Sequence, residues 1–118
     1  CLLMLAGTGV VIELLVPDSA LSLFNKAWII AAVAQPLNAL AFATDGVHWG
    51  VSDFPFIRNV MILATGTGAT LLLFSGIQLI DPIATIWIIT AVWISIRAVF
   101  GFIRVFPGLG KGPLVPAR

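Results

Sequence analysis

Tyrosine is absent from this chain of 118 residues, cysteine and histidine occur once each, and charged side chains make up only 9% of it. With Cys1 as the sole thiol, no intrachain disulfide and no cysteine-based metal site can form, and thiol usage does not identify a compartment. Six Lys and Arg stand against five Asp and Glu, a net charge of +1, and the cations are scattered rather than clustered. Nucleic acid is thereby excluded as a partner, since it requires a basic patch. The scarcity of charge accompanies 60% hydrophobic residues and a mean hydropathy of +1.13. Soluble domains run at about 45–50% apolar and 25% charged, so this is an integral membrane chain whose first partner is the lipid bilayer. Leu2 to Val16 lacks both a positively charged leader and a small-residue cleavage motif, so it is not a signal peptide. It reads as a helix whose beginning is missing, and the chain is expected to be a fragment.

Crossing about 30 Å of hydrocarbon takes about 20 apolar residues at 1.5 Å each. Four runs qualify: Leu2 to Val16, shortened by truncation, then about Leu21 to Thr44, Ile57 to Ile80 and Pro82 to Ile103. The expected fold is an all-α membrane protein, a transmembrane bundle of four spans over residues 1–106. An irregular, Gly- and Pro-rich cytoplasmic tail is expected over 107–118. Asp18, Asp53 and Asp81 stand at the starts of helices, where a carboxylate accepts from orphan amides, and Pro82 suits the first helical position. Passages of small residues, Ala6 to Gly9 and Thr65 to Ala69, are expected to let backbones approach closely. Arg58 and His48 lie between spans two and three, and Arg97, Arg104, Lys111 and Arg118 lie at the end of span four and beyond. The excess of cations places both regions on the cytoplasmic side, with Lys26 the exception on the other.

The most informative stretch is residues 35–53, QPLNALAFATDGVHWGVSD, which brings amide, carboxylate and imidazole groups to the end of an apolar helix. Polar groups at membrane depth cost roughly 2.5–3.5 kcal/mol and face a bundle interior or a wet cavity. Pro36 withholds a backbone donor and tends to kink its helix. Gln35 and Asn38, one turn apart, can form a polar stripe beside it. Two uses are open to that stripe: lining a cavity, or interhelical hydrogen bonds worth about 0.6 kcal/mol each. Asp45, Gly46, Gly50 and Asp53 form a cytoplasmic loop motif, in which Gly46 ends the helix and Asp45 reaches Arg58 or Arg97 as a latch. His48 reads as an ordinary histidine in a wet loop. Glu13 is a carboxylate of the outer interface, or one that carries protons. No metal site and no cofactor are expected.

The stretch QPLNALAFATDGVHWGVSDF resembles the tenth helix and following cytoplasmic loop of the multidrug and toxic compound extrusion (MATE) family, in particular its DinF-like branch. The Gln-Pro, Asn-Ala-Leu-Ala-Phe, Asp-Gly and Ser-Asp-Phe elements occur there in this order. The resemblance implies helices nine (partial) to twelve of a twelve-helix antiporter of the inner (plasma) membrane, exporting small organic compounds against H⁺ or Na⁺. Gln35, Pro36 and Asn38 then line the cavity, and the remaining helices of the transporter are partners. Where the NorM-like branch has a coupling carboxylate in helix ten, this chain has Asn38. An amide cannot exchange a proton, so coupling is expected to rest on acids of the other lobe. A small four-helix multidrug transporter, suggested by Glu13 in the first span, is the alternative. A CDP-alcohol phosphatidyltransferase-like enzyme is a further one, suggested by Asp45-Gly46 but lacking the rest of that motif.

Overall fold

The computed structural model describes residues 1–75 and 81–106, and all of its regular structure there is helical. The elements are α1 (Leu2–Ala6), α2 (Thr8–Leu15), a 3-10 turn (Asp18–Ala20), α3 (Leu21–Gly50), α4 (Phe54–Ser75) and α5 (Pro82–Val105). The end of the expected third span, 76–80, and the tail, 107–118, lie outside the described residues.

Three helices among the described residues are long and apolar enough to cross a membrane, not four. The first apolar run breaks at Gly7 into helices of five and eight residues. The Thr8 hydroxyl bonds back to the Met4 and Leu5 carbonyls at 3.1 and 2.8 Å, a side-chain competitor for helix backbone at this joint. The same oxygen accepts from Trp28 Nε1 at 2.9 Å, tying the segment to α3.

Helix α3 has 30 residues, about 45 Å of helix, and runs through Pro36 without interruption. The missing Pro36 donor deprives the carbonyl of Ala32, a fully buried residue, of its helical partner. The helix does not stop near Gly46. Asp45, Gly46 and Gly50 all lie inside it, so of the expected loop motif only Asp53 is in the loop. The residue that ends α3 is Ser52, at φ 58°. Its amide donates to the Trp49 carbonyl at 3.2 Å, and the Asp53 amide donates to the His48 carbonyl at 2.9 Å. That pair of bonds is a Schellman cap, with serine in the left-handed position usually held by glycine.

Helix α5 packs along α3 and, on its other side, along α4, while α3 and α4 touch little. Because α4 is the return crossing, α3 and α5 run parallel. The buried apolar residues are mostly small or β-branched: Ala32 and Ala41 on α3, Val60 and Ala64 on α4, Ile89 and Ala98 on α5. Lipid offers no hydrophobic drive between helices, so such a seam is held by close van der Waals packing. The tightest point is not in the small-residue passages singled out by sequence. A Cβ on Gly9 or Gly66 would meet nothing within 4 Å, whereas one on Gly101 would stand 2.9 Å from the Thr44 Cβ and closer still to its hydroxyl. Thr44 is buried and bonds its hydroxyl to the Leu40 and Ala41 carbonyls, so it cannot turn aside cheaply. The assembly measures 61 × 35 × 18 Å. A thickness of 18 Å is less than two helix diameters, which leaves both broad faces free to meet lipid or other helices.

Gly101→Ala is expected to lower stability by about 1–3 kcal/mol through overpacking. Thr44→Gly in the same chain should restore it and Thr44→Ala should restore only part, as read by thermal unfolding in detergent.

Candidate functional site

Gln35 and Asn38 share the face of α3 that looks onto α5, and both are half-buried. With Ala31, Ala34 and, from α5, Trp87, Thr90, Ala91 and Ile94, they line a crevice of about 90 Å³. Among the described residues neither amide has a hydrogen-bond partner. The crevice has room for a few waters, while sites for drug-sized molecules measure about 300–1,000 Å³. The chain thus supplies one polar wall rather than a complete pocket. Pro36 lies beside that wall and is exposed, off the crevice itself. A larger crevice of about 290 Å³ between α4 and α5 is lined by apolar groups apart from Thr65, Thr90 and the indole of Trp93. It lacks the convergent polar groups that mark a binding site.

Two turns further along α3, the polar groups draw together. Asp45 pairs with Arg97 of α5; the side chains are 16% and 7% exposed. Of the two cations within its expected reach, Arg97 is the one taken, and Arg58 of α4 sits instead beside Asn59. The Arg97 guanidinium lies over the Trp93 ring at 4.5 Å and near the Phe42 ring at 5.8 Å, a cation–π setting. Two turns beyond on α5, Arg104 Nε donates to the Asp53 carboxylate at 3.1 Å and the guanidinium lies 5.1 Å from the Phe56 ring. The Asp53 side chain therefore serves α5 rather than capping α4, contrary to its expected role.

His48 departs furthest from its reading as an ordinary loop residue. It lies inside α3, is fully buried, and packs tilted against Phe56 with ring centroids 4.6 Å apart. Nδ1 is 3.3 Å from the Asp53 carboxylate, an ion-pair distance, but the geometry is not that of a hydrogen bond and both ring nitrogens lack such a partner. The sequence did carry a signal for this cluster. Once α3 continues past Gly46, Thr44 and His48 fall four apart, and Trp93, Arg97, Gly101 and Arg104 mark one face of α5.

At the opposite end Lys26 of α3 pairs with Asp81, whose other oxygen accepts from the Ala84 amide at 3.2 Å as the cap of α5. The cation that stood out in the orientation argument is therefore neutralised where it lies. From Lys26 to Asp45 is 19 residues of helix, about 28 Å. The ion pairs thus bracket a band close to the thickness of a hydrocarbon core.

Three spanning-length helices, with charge confined to the two ends of the band, define a multi-pass helical membrane protein. The relatives are more particular. The chain is 32% identical over 93 residues to protein DETOXIFICATION 45, chloroplastic, of Arabidopsis thaliana, a match covering 79% of this chain and 16% of that protein. It is 33% identical over 96 residues to DETOXIFICATION 42 of the same plant, covering 81% and 18%. DETOXIFICATION 44, chloroplastic, is 33% identical over 85 residues, covering 72% and 16%. These DETOXIFICATION homologues are MATE transporters, and the similarity supports the MATE family for this chain. The chain spans about a sixth of the length of the curated relatives it matches. No protein-family profile and no solved structure matches it.

Two outcomes test the ends of the band. Asp45→Asn leaves a buried guanidinium without its counter-ion and is expected to cost about 3 kcal/mol, whereas Arg58→Gln should cost little; thermal unfolding in detergent compares them. The hydrogen bond from Lys26, then the Ala84 amide, hold the Asp81 carboxyl below its ordinary 3.8. A folded value below the unfolded one means stabilisation that is fully present above about pH 4 and is lost as pH falls below 3.8 through the folded value. Asp81→Asn should therefore melt earlier at pH 6 and lose less on acidification.

Proposed function

We propose that this chain is part of the second lobe of a DinF-like MATE transporter, with α3, α4 and α5 as helices ten, eleven and twelve and the segment before them as part of helix nine. The whole protein would export small organic compounds by antiport against H⁺ or Na⁺. The observation that carries this reading is the likeness to DETOXIFICATION proteins over about four-fifths of the chain. The polar wall of Gln35 and Asn38 supports it, since unpartnered amides on a helix at membrane depth mark a wet pathway. In this reading Pro36 sets the curvature of that wall. Asp45, with Gly46, Gly50 and Asp53 around it, closes the end of α3 against α5. Arg58, Arg97 and Arg104 gather at that end, an excess of cations that supports a cytoplasmic orientation for it, in an inner (plasma) membrane as the DinF-like reading implies. Coupling rests on acidic residues elsewhere in the transporter, because Asn38 has no proton to exchange. The likeness to DETOXIFICATION proteins over about four-fifths of the chain favours this reading over the small four-helix transporter.

The test is efflux of a fluorescent organic cation from vesicles containing the full-length transporter. Gln35→Ala and Asn38→Ala are each expected to reduce efflux by about tenfold, the loss of one hydrogen bond of about 1.4 kcal/mol, while keeping its dependence on the H⁺ or Na⁺ gradient. Loss of that dependence in Asn38→Ala with substrate binding intact would overturn the assignment of coupling, and unchanged efflux in both variants would overturn the cavity wall.

A further inference from the structure

The turn between α3 and α4 exposes an aromatic pair beside a cation, and the transport reading gives them no ligand. Trp49 at the end of α3 and Phe54 at the start of α4 are 60% and 48% exposed, with rings edge to face at 5.3 Å. Phe54 and Arg58 are one turn apart on α4 and so share a face. Among the described cations at this end, Arg97 has Asp45 and Arg104 has Asp53, but Arg58 is exposed and meets only the neutral amide oxygen of Asn59 at 3.4 Å. Depth adds a second argument. Asp45 stands at one edge of a band about 28 Å wide, and Trp49 is four residues, about 6 Å, beyond it. That distance matches the headgroup layer, which extends about 5–7 Å on each side of the hydrocarbon.

We propose that Trp49, Phe54 and Arg58 form a docking site for the headgroup of an anionic phospholipid. The indole and phenyl rings lie in the headgroup and glycerol layer, where amphipathic rings are favoured. The guanidinium meets the phosphate in two N–H···O bonds, a geometry that an ammonium cannot reproduce. Its aliphatic stem lies along the helix face toward the apolar layer. The occupant is a lipid because the patch joins an uncompensated cation to bare aromatic surface at headgroup depth. The inference rests on the membrane-spanning helices alone and stands whether or not the protein exports drugs.

The experiment uses the full-length protein in nanodiscs of phosphatidylcholine with either brominated phosphatidylglycerol or brominated phosphatidylcholine as the quencher. Trp49 fluorescence is isolated by replacing the other tryptophans with phenylalanine. Brominated phosphatidylglycerol should quench Trp49 more strongly than brominated phosphatidylcholine. In Arg58→Gln that preference should fall about fivefold, the share of one basic residue near an anionic surface, and Arg58→Lys should hold an intermediate place. Retention of phosphatidylglycerol by otherwise unaltered protein and by Arg58→Gln, weighed by native mass spectrometry, gives the same comparison without touching tryptophan. If neither lipid quenches Trp49, the turn is covered by the rest of the transporter and the proposal fails. Equal retention by the parent and Arg58→Gln overturns it as well.

Discussion

A guanidinium taken from water into the side of an apolar helix must find an anion, and the rest of this structure is arranged around the one it finds. Arg97 is the buried cation of α5, and Asp45 meets it from α3, which then continues past Gly46 to bring His48 to the same end. Asp45 in turn brings Thr44 against Gly101, the closest approach of the two helices. The next turn carries His48 and leads to Asp53, whose carboxylate holds Arg104. Each contact is modest; together they join α3, the turn and α5 into one polar end.

Much of this was legible from residue order, because long apolar runs in lipid have few choices of structure. Three of the four proposed spans appear with starts within a few residues of expectation, and Asp81 caps α5 as its place before a proline suggests. The failures share a cause. Gly46 and Gly50 carry a local preference for ending helices, and that preference was overridden by tertiary contacts from Thr44, Asp45 and His48 that only a folded chain supplies. Moving the helix end by six residues carried His48 from a wet loop into a buried position. The first run is a separate case: it is largely apolar, but Gly7 and the Thr8 hydroxyl interrupt its backbone, which a count of hydrophobic residues does not register.

The polar wall is one side of a site. Spacing placed Gln35 and Asn38 on a common face, and they line a common crevice. Whether such a wall handles water, ions or organic molecules depends on what stands opposite, and a slab 18 Å thick has no opposite side. The same thinness accounts for the large apolar side chains exposed on α3 and α4, among them Val33, Phe42, Ile62 and Leu73. In water they would be a liability; beside acyl chains or neighbouring helices they are ordinary surface.

The ion pairs at the two ends of α3 have a mechanical consequence. Lys26 to Asp81 and Asp45 to Arg97 join the same two parallel helices at points about 28 Å apart. Sliding one helix along the other by a single turn would break both joints together and drive Thr44 off its glycine. Axial slippage is therefore blocked, and α3 and α5 travel as a plank: any rocking of this unit in the bilayer moves both helices at once, with the hinge outside them.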